Sequence, residues 1–129
     1  MEAAQQKTKG QLEREISQRI RTLYKNCLGH KLSQASCQLL DSKIAIVLED
    51  SVTQPEKLLV DEGQTELIEK VHDDIGQAIY PKIKTLIEDR LDVKVLDLLS
   101  DMTLETERTG SIAVLDKAPS VRSKKPDRG

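Results

Sequence analysis

Residues 65–92, TELIEKVHDDIGQAIYPKIKTLIEDRLD, carry the pattern on which the fold turns: Leu67, Ile68, Val71, Ile75, Ile79, Ile83, Leu86, Ile87 and Leu91 recur at spacings close to three and four. A period near 3.6 residues places them on one stripe of an α-helix, so a single long helix over about 65–92 is predicted, apolar side inward. Pro81 lies inside it and has no N–H to give to the carbonyl of Gln77, which predicts a kink. Gly76 is where such a bend or a close contact is accommodated.

Upstream, Leu12, Ile16, Ile20, Leu23 and Cys27 form a second helical stripe, with Thr8 as N-cap and Gly29 as stop. Residues 34–40 (QASCQLL) and 43–49 (KIAIVLE), separated by Asp41-Ser42, read as a β-hairpin. In the second strand Ile44, Ile46 and Leu48 point to one side while Ala45 and Val47 point to the other. Both sides are apolar, so the strand is expected to be covered by helix on one face and by a partner or the tail on the other. Thr53-Gln-Pro-Glu56 has the form of a capping box opening a short helix, which Asp61-Glu-Gly63 breaks.

Downstream of the long helix, Val93–Met102 and Ser111–Leu115 read as a second hairpin, turning at Glu105–Gly110 with Gly110 free to take positive φ. The order α-β-β-α-α-β-β predicts an α+β fold: one four-stranded antiparallel sheet, with the long kinked helix across one face and the N-terminal helix beside it. Residues 1–8 are expected to be a flexible lead-in, 9–116 one domain, and 117–129 a disordered basic tail.

Composition sets the limits. With 129 residues, 35 of them Leu, Ile or Val, and a formal charge of −2, the chain can bury one aliphatic core. The longest apolar run, Ile44–Leu48, falls far short of the roughly 20 residues that span a bilayer. The start, MEAAQQKTKGQLERE, has no signal-peptide segment, which makes the cytosol the expected compartment. The absence of Phe and Trp removes stacking platforms for bases, and the acidic stretch 61–74 would repel nucleic acid. The basic stretch 117–129 could fold back on that acidic helix, touch an anionic membrane, or do nothing.

Candidate chemistry is sparse. Cys27 and Cys37, ten residues apart, read as small buried or half-buried hydrophobes, with a redox pair or half of a zinc site with His30 as the sharper alternatives; zinc would lack a fourth ligand and the spacing matches no usual site, so no metal is assigned. His72, Asp73 and Asp74 are adjacent, but consecutive helical residues point about 100° apart and cannot converge on one substrate atom, so they read as a solvated helix face. No nucleophile–base pattern or phosphate-binding glycine motif is present, so neither catalytic residues nor a cofactor are expected. The expectation is a non-enzymatic homodimer whose interface draws on Tyr24, Tyr80, Ile44, Ile46, Val47 and Leu48, the two tyrosines being the only large aromatic anchors. The alternative is a small-molecule sensor with an aliphatic-lined pocket between helix and sheet, near Gly76 and Pro81.

Three blocks carry a family resemblance: TKGQLEREIS (Thr8–Ser17), VTQPEKLL (Val52–Leu59) and LDVKVLDLLSDMTLETERTGSIAVL (Leu91–Leu115). Together they resemble the small bacterial MpsC-like domain of a Na+-translocating, membrane-potential-generating system. The chain departs from that pattern after the first helix, where CLGHKLSQAS replaces a glycine-rich segment, and at ETERTG, which replaces a TGER-like turn. The resemblance implies a protein partner at a cation- or bicarbonate-linked membrane transport complex. It supplies no catalytic or ion-binding residue.

Overall fold

The computed structural model describes residues 6–122. Helix α1 (Lys9–Leu28) is followed by strands β1 (Gln34–Leu40) and β2 (Lys43–Glu49), helices α2 (Gln54–Asp61) and α3 (Thr65–Leu91), and strands β3 (Val95–Thr103) and β4 (Arg108–Leu115). The strands form one antiparallel sheet in the order β1-β2-β4-β3. This is the predicted α+β architecture.

Local chemistry accounts for the boundaries. Thr8 caps α1 in a reciprocal box, its hydroxyl accepting from Gln11 N–H at 3.2 Å while Gln11 Oε1 accepts from Thr8 N–H at 2.8 Å. Gly29 ends the helix in the left-handed region with φ 61°. At α2, Glu56 Oε1 accepts from Thr53 N–H at 3.0 Å and from the Thr53 hydroxyl at 2.9 Å. Helix α3 runs unbroken through Pro81, and the Thr85 hydroxyl donates to the Pro81 carbonyl at 3.1 Å.

Strand register decides which side chains share a face. Leu39, Ile44, Ala113 and Leu98 lie in one row across the sheet, and Cys37, Ile46, Ser111 and Ser100 in the next. These residues meet the helices: Ile16 and Ile20 of α1 and Ile79, Ile83 and Ile87 of α3 close over them to make the core. The aliphatic stripes read in the sequence are buried or half-buried except at Cys27 and Leu67, near one end of each helix, which are exposed.

Two strand boundaries differ from expectation. β4 begins at Arg108, so Gly110 lies within the strand, paired with Val47 and Asp101, and the left-handed residue of the turn is Glu107 at φ 58°. Cross-strand chemistry extends the ladder: Arg108 Nε donates to Glu49 Oε1 at 2.7 Å, and the buried hydroxyls of Thr109 and Ser51 are 2.7 Å apart. β3 starts later than Val93, because Asp92 takes φ 54° and Val95 N–H is drawn to Glu88 Oε2 at 2.9 Å.

Part of the stretch expected to be a free tail is placed. Arg122 N–H donates to the Lys7 carbonyl at 2.8 Å, in a parallel bridge between Thr8 and Arg122, and Pro119 is buried. Residues 117–122 thus run back to the start of α1. Residues 1–5 and 123–129, where the rest of the expected lead-in and tail fall, lie outside the described residues.

Candidate functional site

The sheet face away from the helices is apolar at its centre. One row reads Gln38, Ala45, Ile112, Leu99 and the next Ser36, Val47, Gly110, Asp101. Val47 is 40% exposed, Leu99 53% and Ile112 38%, with exposed Leu40 and Leu96 near the margin. Among the described residues no helix covers this face. The sequence located it through Val47, whose alternation with Ile44, Ile46 and Leu48 shows a strand apolar on both sides. It missed Leu99 and Ile112, because only register reveals that β4 and β3 set them beside Ala45.

Of the six residues expected at an interface, Ile44, Ile46, Leu48 and Tyr24 are buried in the core of this chain. Burial pushes the Tyr24 phenol above its ordinary range, with the phenol of Tyr80 and the carboxylate of Glu56 adding to the effect. Val47 and the half-buried Tyr80 lie on opposite sides of the sheet, so the structure does not bring the six together.

Tyr80 belongs to a second feature, a cleft of about 640 Å³ between α3 and β3 lined by His72, Asp73, Gly76, Gln77, Tyr80, Pro81, Ser100 and Asp101. It sits where a helix–sheet pocket was expected, but its lining is polar where aliphatics were anticipated. The reason lies in the sheet: towards this end the helix-facing residues of β3 and β4 include Ser100, Ser111 and Thr109. Tyr80 donates from its hydroxyl to Ser100 Oγ at 2.9 Å, and Ser100 and Ser111 are 2.8 Å apart. Gly76 makes this possible, since a Cβ there would lie 2.8 Å from the Tyr80 ring.

His72 corrects the reading of a merely solvated face. Its Nδ1 lies 3.1 Å from Oε2 of Glu56, which is 1% exposed. The bond to Glu56 raises the imidazole above its ordinary value against the opposing effect of burial, and the charges of Glu56, Asp73 and Asp101 assist. Burial by itself would raise the Glu56 carboxyl; the bonds from His72 and Thr53 outweigh it and hold the group below the usual carboxylate range. The capping box at Thr53 marked Glu56 in the sequence, but nothing local pointed to a partner on the next helix. Asp73 and Asp74 are exposed, as expected.

Cys37 is half-buried as expected, but Cys27, near the C-terminal end of α1, is exposed and not a buried hydrophobe; both are free thiols. Burial pushes Cys37 up to about 11, with a contact from Ser17 opposing and Glu13 adding. His30 reaches the Asp50 carbonyl through Nε2 at 2.5 Å. Among the described residues no three His, Cys, Asp or Glu side chains are grouped to hold a metal ion. No described helix is long and apolar enough to cross a membrane.

No curated protein and no solved structure matches the chain. The sequence model of one family, described as Na+-translocating membrane potential-generating system (MpsC), matches residues 8–117, nearly the whole of the described domain. The stretch runs from the N-cap of α1 to just past β4, and the chain belongs to the MpsC family.

Proposed function

We propose that this domain is a non-enzymatic interaction module that pairs with a second copy through its open sheet face. In this reading it serves as an accessory or regulatory component of a Na+-linked membrane system, on the cytosolic side. The observation that carries the pairing is the apolar centre of that face, Val47, Leu99 and Ile112, in a sheet whose other face already holds the core. The non-enzymatic reading is supported by the use to which His72 is put, with Nδ1 engaged in holding α2. Family membership supports the membrane-system context. Sedimentation at micromolar concentration tests the pairing: the wild-type chain should sediment as a dimer and Val47→Lys with Leu99→Lys as a monomer. A wild-type species of 14.5 kDa alone would refute it.

The cleft favours a second reading, a sensor for a small molecule. Its volume of about 640 Å³ is that of a metabolite site. Its Ser, Tyr, Gln and Asp lining directs the reading to hydrophilic molecules. A true ligand at about 100 times Kd should stabilise the domain by about 2.7 kcal/mol in a thermal-shift panel. A flat response across polar metabolites counts against it.

A further inference from the structure

Strand β3 is an outer strand of the sheet, and among the described residues it pairs only with β4. In an antiparallel ladder alternate residues give their N–H and C=O to the neighbour, and those between point theirs the other way. Two bonds fix the alternation here. Met102 N–H is taken by the carboxylate before it, Asp101 Oδ1, at 2.9 Å. Leu115 N–H, across from Val95, donates away from β3 to the Ser42 carbonyl at 2.8 Å. Leu98, Ser100 and Met102 therefore direct their backbone groups outward, as Val95 does. Carboxylates close this edge at both ends, Glu88 Oε2 on the Val95 N–H and Asp101 on the Met102 N–H. Between them Leu98 and Ser100 present a short open ladder.

The polar cleft lies beside that ladder. Ser100 and Asp101 line it from β3, and His72, Asp73 and Gln77 line it from α3. A strand added to β3 would lie about 4.8 Å outside it, along the mouth of the cleft. On the open face of the sheet the edge reads Asp97, Leu99, Asp101, all exposed. Among the described residues that line the cleft there is neither Lys nor Arg.

We propose that the outer edge of β3 is a docking site for an extended segment of a partner protein, added as an antiparallel strand with a basic–apolar–basic alternation on one face. Its backbone pairs with Leu98 and Ser100. Its Lys or Arg side chains stand opposite Asp97 and Asp101, a small aliphatic residue stands opposite Leu99, and the polar residues between them turn into the cleft. Main-chain bonds supply the affinity, and the cross-strand charges select the segment. A second copy suits this edge poorly. The two-fold register that uses both free residues, Leu98 of one chain against Ser100 of the other, sets Asp97 directly opposite Asp101, and like charges so placed are destabilising.

The test is fluorescence anisotropy of the full chain, at low salt, with the labelled peptide Thr-Lys-Thr-Val-Thr-Lys-Thr. Saturable binding is expected. In the proposed register the two threonines beside the valine turn their N–H groups to β3, and the valine turns its own away. N-methylation of those two threonines should weaken binding about tenfold or more, and N-methylation of the valine should leave it unchanged. Asp97→Lys with Asp101→Lys should keep the wild-type melting temperature, since both side chains are exposed, and should weaken binding about tenfold. The peptide arm uses the wild-type chain and decides the matter if the double variant does not fold. Absence of saturable binding overturns the proposal. Equal affinity of the two N-methylated peptides also overturns it, because charge alone would then hold the peptide. Loss of binding in Val47→Ser overturns it as well, since that result places the peptide on the open sheet face.

Discussion

His72 Nδ1 stands 3.1 Å from Glu56 Oε2, so that a half-buried imidazole on α3 and a buried carboxylate on α2 join the two helices through a hydrogen bond. The same carboxylate closes the N-terminal turn of α2 through Thr53, so cap and tie share one group.

This pair predicts a pH dependence with a definite sign. The His72 value is raised above its ordinary 6.5, so its contribution is full below that value and is lost as pH rises through the raised one. The Glu56 value is lowered from 4.5, so its contribution is full above 4.5 and is lost as pH falls through the lowered one. His72→Gln should therefore depress the melting temperature most near about pH 6, with the gap from wild type narrowing towards about pH 9. A gap that stays constant over that range would refute the charged tie.

Gly76 is read as a seat for the Tyr80 ring rather than a flexible point. An alanine gains helix propensity of roughly 1 kcal/mol in isolation, yet its Cβ would meet the ring at 2.8 Å. Gly76→Ala should therefore destabilise, by about 1–2 kcal/mol in urea unfolding. In a Tyr80→Ala background the same change should become neutral or stabilising. Independent, additive effects would show that the ring does not depend on the glycine.

Burial separates two aliphatic truncations in adjoining helices. Ile87 is fully buried in the core, so Ile87→Ala should cost about 2–5 kcal/mol. Leu58→Ala should fall within about 0.5 kcal/mol, because that side chain contributes little to the folded monomer. A large cost at Leu58 would mean that α2 is held by apolar packing after all.

The two thiols should differ in accessibility to reagent. Cys27 is exposed, whereas Cys37 is half-buried with its thiol pushed up to about 11. A disulfide reagent at about pH 8 should modify one thiol quickly and the second only on unfolding, with Cys27→Ser abolishing the fast phase. Two fast phases in the native protein would contradict the burial of Cys37.

The helices were legible in the sequence because their apolar stripes are long and their caps are local: Thr8, Gly29 and Thr53 act within a few residues of themselves. The hairpin at Asp41-Ser42 was legible for the same reason. What escaped depends on pairing between distant segments. The start of β4 at Arg108 is set by Glu49, and the tie of Glu56 by His72 on the next helix. The polar cleft escaped because Ser100 and Ser111 look like surface residues until register turns them under α3. Tyr24 and Tyr80 were singled out for their scarcity, and one is a core residue while the other roofs the cleft.

Glu13 reaches across from α1 and accepts the N–H of Leu39 at 2.7 Å, beside a strip where α1 overhangs Ala35 and Cys37. That carboxylate occupies a backbone donor on β1, a margin of the sheet where another chain's strand could otherwise be added. Head-to-tail growth would need β1 of one molecule to accept β3 of the next. With that margin obstructed, the face-on pairing proposed above is the mode left open, and a pairing of that kind would stop at a fixed stoichiometry and not propagate into a fibre.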